Sequence, residues 1–192
     1  MMQAGAPPDI FQGWGGGVLN AYADGGLLGD FAADWEGEWR DSITAATVVD
    51  SLFSRNGAVY GIPWNWGGVG IFYNKDLFAQ AGLDPENPPA TWDEFVAAID
   101  ALKAAGITPL TVGQRDRWPG HFWWTYFAIR EGGKAAFDAA ASRSGSFADP
   151  AFVKAGQDLL DLIALDPFPE GYLGFNYGDS ATAFGNGEAA ME

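Results

Sequence analysis

One segment, residues 91–112, restricts the fold of this chain more than any other. Thr91 and Glu94 have the spacing of a capping box, in which each side chain accepts a hydrogen bond from a backbone N–H at the start of a helix. Apolar residues then recur at helical spacing until Gly106, so we predict a helix with one buried face. Residues 107–112, which are mainly apolar, predict a strand after a short link. This order favours an α/β fold with a parallel sheet.

Short strands and helices alternate along the rest of the chain. Strands are predicted at residues 10–11, 58–60 and 69–73, and helices at residues 18–22, 43–53, 74–82, 121–130, 134–141, 150–163 and 180–184. The first of these strands is expected to be buried. The pair Asn56-Gly57 predicts a tight turn before the second strand, and Asp149 and Asp179 are expected to cap the last two helices.

The charge balance and the absence of cysteine exclude several functions. Ten Lys and Arg against 25 Asp and Glu give a formal net charge of −15, which repels phosphate backbones and anionic lipid head groups, so we expect no nucleic-acid partner. The lack of cysteine excludes disulfides, thiolate nucleophiles and cysteine-based zinc sites. His121 is the single histidine, so a serine triad or a two-histidine metal site would depend on this one residue. We therefore predict no metal, no cofactor and no catalytic residue. No uninterrupted apolar run approaches the ~20 residues of a membrane helix.

Aromatic residues make up 15% of the chain and include nine tryptophans, two of which, Trp64 and Trp66, enclose Asn65 directly before Gly67 and Gly68. One interpretation is core packing at the end of a strand. The other is a sugar-binding surface, because an indole covers the C–H face of a pyranose and an asparagine amide both donates to and accepts from hydroxyls. The glycines allow the chain to bend or a ligand to approach closely.

A second candidate region surrounds His121 and includes Arg115, Asp116, Arg117 and Trp118, at the start of a predicted helix. A single histidine is commonly a structural residue, but polar and aromatic side chains in such a position are also typical of binding sites. Both interpretations stay open. The aromatic residues that follow at helical spacing are expected to pack into the core: Trp123, Trp124 and Phe127.

Residues 13–17, Gly-Trp-Gly-Gly-Gly, have three interpretations. A phosphate-binding loop is disfavoured, because the Gly-Lys-Ser/Thr ending of a P-loop and the spacing of the dinucleotide fingerprint are both absent. A tight turn between a strand and a helix is the simplest interpretation. The third is a glycine-rich edge along which a ligand lies close to the backbone, with Trp14 as its wall.

Four motifs, in their order along the chain, resemble signatures of the extracellular solute-binding proteins that deliver sugars to bacterial ABC importers, of the maltose-binding-protein type. They are APPDIFQGWGGG, VYGIPWNWGGVGIFYNKDLFAQAGL, PPATWDEFVAAIDALKAAGITPL and TAFGNGEAAM. The resemblance implies a periplasmic-binding-protein-like α/β fold of two lobes joined by a hinge. Family members carry further segments at both ends, so residues 1–63 would form a partial first lobe, residues 64–70 the hinge crossing, and residues 71–192 an incomplete second lobe.

The resemblance also implies what the protein binds and where. Aromatic side chains in the cleft between the lobes would stack on the ligand, and closure of the cleft would signal to the permease. The ligand-binding candidates carried over are Trp14, Trp64, Asn65, Trp66, Trp118, His121, Tyr177 and Asp179. The expected partners are a neutral mono- or oligosaccharide and the permease subunits of an ABC transporter. We expect a monomer in the periplasm or at the cell surface, in contact with the membrane only through the permease or through an N-terminal anchor missing from this chain.

Two other functions stay open at this point. A carbohydrate-active enzyme would use an Asp/Glu pair, such as Asp179 and Glu188, because glycoside hydrolysis needs two carboxylates on either side of the bond. No feature of the sequence distinguishes one such pair among the 25 acidic residues, so we predict that the chain is not an enzyme. A non-catalytic protein-interaction domain would bind a partner chain through exposed aromatic side chains.

Overall fold

The computed structural model describes residues 8–43, 48–65 and 67–192. Trp66 and residues 44–47 of the helix predicted at 43–53 therefore lie outside the described residues. The chain divides into two compact units, Met1–Gly68 and Val69–Glu192, each with its own packed residues. Their assignment as two lobes with a crossing at residues 64–70 stays a prediction.

The first unit contains short helices and one hairpin. Its elements are α1 (Gly17–Asp24), α2 (Gly37–Asp41), a π-helical turn (Val49–Phe53), β1 (Ser54–Arg55) and β2 (Ala58–Val59). The two strands pair antiparallel, with Ser54 opposite Val59. Asn56 and Gly57 have φ angles of 54° and 85°, the left-handed backbone that a two-residue hairpin turn requires, so the predicted turn is confirmed. The helix predicted at residues 18–22 is confirmed as α1.

The core of the first unit contains Trp35, Val49 and Val59. Asp30 Oδ1 accepts hydrogen bonds from the backbone N–H groups of Ala32, at 2.8 Å, and Val59, at 2.9 Å. These two bonds, the Ala32 bond first, lower the pKa of Asp30 because they favour the ionised carboxylate. The Asp30 side chain therefore connects the loop before α2 to strand β2.

The buried strand predicted at residues 10–11 is wrong. These residues lie in neither a helix nor a strand, and Ile10 exposes 91% of its surface. Phe11 instead contacts Tyr22 of α1 edge-on, with ring centroids 6.0 Å apart. A strand needs partners for its backbone N–H and C=O groups, and the tertiary backbone hydrogen bonds of the described residues include none from this segment.

The second unit consists mainly of helices. They are α3 (Lys75–Gln80), α4 (Trp92–Ala104), α5 (Trp118–Ala141), α6 (Pro150–Ala164) and α7 (Tyr177–Gly185), with 3-10 turns at Gln114–Asp116 and Tyr172–Gly174. The predicted capping box starts α4: Glu94 N–H donates to Thr91 Oγ1 at 3.3 Å, and Thr91 N–H donates to Glu94 Oε2 at 3.0 Å. Helix α4 then buries Phe95, Ile99 and Leu102, as the apolar spacing predicts. Among the described residues, no helix is both long and apolar enough to cross a membrane.

Replacing Thr91 with alanine is expected to lower the free energy of unfolding by about 1 kcal/mol, because the Glu94 N–H loses its side-chain acceptor. Urea unfolding followed by far-ultraviolet circular dichroism measures this loss. Thr91→Ser keeps the hydroxyl and is expected to unfold at nearly the native urea concentration. Equal losses for the two variants would show that the hydroxyl does not stabilise α4.

Helix α5 joins the two helices predicted at residues 121–130 and 134–141. Gly133 has φ 66° and ψ 179°, a non-helical conformation that glycine adopts without steric strain, so the chain kinks there and continues as helix. Trp124 of α5 stacks on Phe152 of α6, with ring centroids 5.9 Å apart. The kinked helix therefore packs along α6 and contributes to the core.

The two predicted aspartate caps have different outcomes. Asp149 precedes α6, but its side chain accepts from the Ser146 N–H at 3.1 Å and makes no cap bond to the helix. The cap predicted at Asp179 is wrong, because α7 begins at Tyr177 and its N-cap is Asn176. Asp179 is the third residue of the helix and closes that capping box: its N–H donates to Asn176 Oδ1, and its carboxylate accepts from the Asn176 N–H. Asparagine caps as effectively as aspartate, so the helix begins earlier than predicted.

Three extended segments of the second unit pair over a few residues each. Phe72 and Glu192 exchange backbone hydrogen bonds of 2.9 and 3.0 Å. Met191 forms an antiparallel bridge with Tyr73 and a parallel bridge with Leu110. The final residues of the chain therefore lie between two extended segments that are distant in sequence.

The strands predicted at residues 69–73 and 107–112 form isolated bridges and no continuous ladder. Residues 190–192 are too short a partner to pair with either segment along its length. The two predicted strands run antiparallel to each other, since Met191 is antiparallel to Tyr73 and parallel to Leu110, so the parallel direction predicted from the strand–helix–strand order is wrong for this pair. Helices pack on these segments around a shared core, which includes Phe78, Ile99, Leu102, Leu110, Leu162 and Met191.

Candidate ligand-binding site

Trp118 is the first residue of α5, and the backbone turns sharply before it. The 3-10 turn Gln114–Asp116 is followed by Arg117, whose φ of 66° lies in the left-handed region. Pro119, buried at the second helical position, has a fixed φ that suits the first turn of a helix. Trp118 therefore lies at the N-terminal end of α5.

Trp118 and Tyr177 form an exposed aromatic pair in the second unit. Tyr177 is the first residue of α7, and the two ring centroids lie 4.8 Å apart with their planes inclined at 47°. Trp118 is 44% exposed and Tyr177 is 50% exposed, so both rings are accessible to a ligand. Two inclined aromatic faces of this kind suit the C–H surface of an amphipathic ligand such as a sugar.

Backbone and side-chain hydrogen bonds join the start of α7 to the turn before α5. Asp116 Oδ2 accepts from the Tyr177 N–H at 2.8 Å, although the two residues are 61 positions apart in the sequence. The Arg115 N–H donates to the Phe175 carbonyl oxygen at 2.8 Å. The aromatic pair is therefore assembled by tertiary structure.

His121 lies one helical turn after Trp118 and is exposed. Its Nδ1–H donates to the Trp118 carbonyl oxygen, which leaves Nε2 of the neutral ring as an acceptor for a ligand hydroxyl. Phe122 packs 4.5 Å from the His121 ring and 5.7 Å from the Trp118 ring, measured between centroids. Sequence reasoning missed Phe122, although its spacing of four residues from Trp118 indicates contact on one helix face.

Asp179 and Glu188, the pair considered for an enzyme, each accept a local hydrogen bond. Asp179 Oδ2 accepts from the Asn176 N–H at 2.8 Å, and Glu188 Oε1 accepts from Asn186 Nδ2 at 3.1 Å. The first bond belongs to a helix cap and the second spans two residues, so both are typical of structural carboxylates. Within the described part of the chain, no group of three or more metal-binding side chains occurs.

The candidates in the first unit are strongly exposed. Trp14 and Trp64 expose 80% and 82% of their surfaces, and Asn65 is exposed next to Trp64. Core packing is therefore not the role of Trp64. Trp66, the other half of the Trp-Asn-Trp motif, lies outside the described residues.

The glycine-rich segment before α1 makes close backbone contact with the π-helical turn. The Gly16 N–H donates to the Leu52 carbonyl oxygen at 2.7 Å, and a Cβ atom on Gly15 would lie 2.8 Å from the same oxygen. Gly16 also has a φ of 67°. These contacts show that the glycines form a tight turn into a helix, which is the simplest of the three interpretations.

The aromatic residues later in α5 pack as predicted. Phe127 is buried, and Trp123 and Trp124 lie against the core of the second unit. Trp123 contacts Phe95 of α4, with ring centroids 6.1 Å apart. The binding candidates of α5 therefore lie in its first turn, and the aromatic residues that follow pack into the core.

Comparison with known proteins gives a match over the whole chain. Residues 1–192 match the family described as bacterial extracellular solute-binding protein. The multiple sugar-binding protein of Streptococcus mutans is 30% identical over 147 residues, which cover 72% of this chain and 34% of that protein. The sn-glycerol-3-phosphate-binding periplasmic protein of Yersinia pestis is 40% identical over 67 residues, which cover 35% of this chain and 15% of that protein.

A solved structure from work on xylan utilization by the thermophilic bacterium Caldanaerobius polysaccharolyticus is similar to this chain. It superposes with a TM-score of 0.90 at 30% identity and covers 99% of this chain and 47% of that chain. The chain thus spans about half of that solved chain and 34% of the length of the multiple sugar-binding protein. The family match and the superposition confirm the predicted periplasmic-binding-protein-like α/β fold.

Proposed function

We propose that the chain, which belongs to the family of bacterial extracellular solute-binding proteins, forms part of the sugar-binding component of an ABC importer. The ligand is a neutral mono- or oligosaccharide, which the protein delivers to the permease subunits. The names of relatives support the ligand class: one is a multiple sugar-binding protein, and a superposed structure comes from work on xylan utilization.

The aromatic pair of Trp118 and Tyr177 is the observation that carries this proposal. Its inclined and accessible rings offer an apolar surface to the C–H face of a pyranose. His121 adds an acceptor for a hydroxyl next to this surface. A mainly apolar surface with a few directed polar groups is the usual composition of a small-molecule site.

The first unit contributes a second set of ligand contacts in this proposal. Trp14, Trp64 and Asn65 are exposed and have the aromatic and amide groups that a sugar needs. Trp66 and Asp179 stay predicted contacts, and Asp179 has less capacity because one carboxylate oxygen already accepts a hydrogen bond.

A neutral ligand is favoured over a phosphorylated one. The net charge of −15 repels anions, and this repulsion is a property of the whole chain. The local feature that would favour a glycerol phosphate is the pair of exposed side chains Arg115 and Arg117, close to Trp118 in sequence. Asp116 lies between them and offsets part of their charge.

The remaining properties that we propose follow from the family. The protein acts in the periplasm or at the cell surface, binds its ligand without chemical conversion and works as a monomer. Contact with the membrane is through the permease or through an anchor. The described residues offer no support for the competing carbohydrate-active enzyme, since Asp179 and Glu188 both accept local hydrogen bonds.

Tryptophan fluorescence titrated with a panel of neutral sugars tests the function. The intact natural protein is expected to give a saturable change with at least one neutral sugar, because a ligand on Trp118 changes the polarity around its indole. Two controls accompany the titration. sn-Glycerol 3-phosphate is expected to give no saturable change, and chromogenic glycosides are expected to release no product. Saturation by the phosphate alone would contradict the ligand class, and release of product would contradict the non-catalytic role.

A further inference from the structure

Asp116 connects two parts of the proposed sugar site through a single hydrogen bond. Its Oδ2 accepts from the Tyr177 N–H at 2.8 Å. Two residues later in the sequence, Trp118 contacts the ring of that same tyrosine. One short segment therefore carries one ring of the aromatic pair and also the acceptor that fixes the other.

We infer that Asp116 is a positioning residue, whose carboxylate sets Tyr177 against Trp118 and so shapes the surface that receives the sugar. This inference rests on the proposed function for its consequence in binding. The placement of Tyr177 against Trp118 can be measured without a ligand.

The bond from Asp116 affects where α7 lies more than whether it forms. The capping box of Asn176 and Asp179 already satisfies the N–H of Asp179 and closes the start of the helix. The Tyr177 N–H belongs to the first helical residue and has no partner within the helix. Asp116 supplies that partner from a different part of the chain, so the bond constrains tertiary placement.

Gly113 imposes a second constraint on the same junction. A Cβ atom at this position would lie 2.6 Å from the backbone carbon and oxygen of Asn176 and from the Cα of Tyr177. Only glycine allows the segment before the 3-10 turn to approach α7 so closely. The Arg115 N–H adds a bond of 2.8 Å to the Phe175 carbonyl oxygen. Backbone contact and the Asp116 bond therefore act together on the start of α7.

Two variants of Asp116 separate positioning from direct contact with the sugar. Asp116→Ala removes the acceptor and is expected to weaken sugar binding about fivefold, the size of one hydrogen bond. Asp116→Asn keeps an oxygen that can accept from the Tyr177 N–H and is expected to retain near-native affinity. Asp100→Ala is the matched control, an exposed aspartate of the same unit whose side chain makes no hydrogen bond with the described residues, and should leave affinity unchanged.

The decisive experiment is a double-mutant cycle between Asp116→Ala and Tyr177→Ala, read by near-ultraviolet circular dichroism of the intact protein without sugar. Asp116→Ala is expected to change the aromatic spectrum, and this change should be absent in the Tyr177→Ala background, because Asp116 acts through that ring. A spectrum unaffected by Asp116→Ala, or a change that persists without the tyrosine ring, would overturn the inference. Equal losses of affinity in Asp116→Ala and Asp116→Asn would also overturn it, in favour of direct contact. A native protein that binds no sugar would count against the proposed function, while the spectra still decide the positioning role.

Discussion

Replacing Trp118 with alanine is expected to weaken binding of the cognate sugar about 30-fold, which corresponds to about 2 kcal/mol for an aromatic residue at the centre of a binding surface. The indole is 44% exposed and lies 4.8 Å from the Tyr177 ring, so truncation removes one of the two faces that cover the ligand. Isothermal titration calorimetry of the native protein and the variant measures the difference.

Trp92 provides a matched control for this experiment. It is 40% exposed and also begins a helix of the second unit, but its ring contacts are with the core residues Phe95 and Phe127. Trp92→Ala is therefore expected to lower stability and leave affinity close to native. Equal losses of affinity in the two variants would indicate a general loss of structure, and an unchanged affinity in Trp118→Ala would remove this residue from the site.

Replacing Leu102 with alanine is expected to lower the free energy of unfolding by about 3 kcal/mol, because it leaves a cavity in a closely packed core. Leu102 is fully buried on α4 and belongs to the main core cluster of the second unit. Guanidinium unfolding followed by far-ultraviolet circular dichroism measures the loss.

Leu160→Ala makes the same chemical change on a surface. Leu160 is 60% exposed on α6, so its truncation is expected to change the free energy of unfolding by less than about 1 kcal/mol. A loss at Leu160 as large as the loss at Leu102 would contradict the assignment of which face of each helix is buried.

Local sequence signals predicted local structure well in this chain. The capping box of Thr91 and Glu94 and the turn at Asn56-Gly57 each involve bonds between residues a few positions apart, so their spacing alone specifies them. The buried face of α4 followed from the 3.6-residue period for the same reason. The family resemblance, which rested on several motifs in order, predicted the fold class that the comparisons confirm.

The candidate site could be predicted only in part, because its geometry depends on contacts across the sequence. Trp118 and His121 were candidates by local composition, but the contact between Trp118 and Tyr177 depends on how α5 and α7 meet. The Asp116 bond to the Tyr177 N–H spans 61 positions, and no local pattern indicates it. Whether the sugar contacts proposed in the first unit act with this pair stays a prediction.

Two of the errors in secondary structure arose where the predicted element depended on a further residue or segment. Asp179 has the composition of an N-cap, but Asn176 competes for the same role and begins α7 first. Residues 10–11 are apolar like a strand, but a strand forms only where another segment pairs with its backbone, and Ile10 is instead exposed. The first outcome depended on a competing cap three residues earlier in the sequence, and the second on a partner segment that the local pattern does not contain.

Calorimetric titration of the intact natural protein with neutral mono- and oligosaccharides, beside the Trp118→Ala variant, tests the central claim most directly. We predict saturable binding of at least one neutral sugar, absence of binding by sn-glycerol 3-phosphate, and an affinity about 30-fold lower in the variant. A folded native protein that binds no neutral sugar, or one whose sugar affinity is the same with and without the Trp118 indole, would contradict the claim.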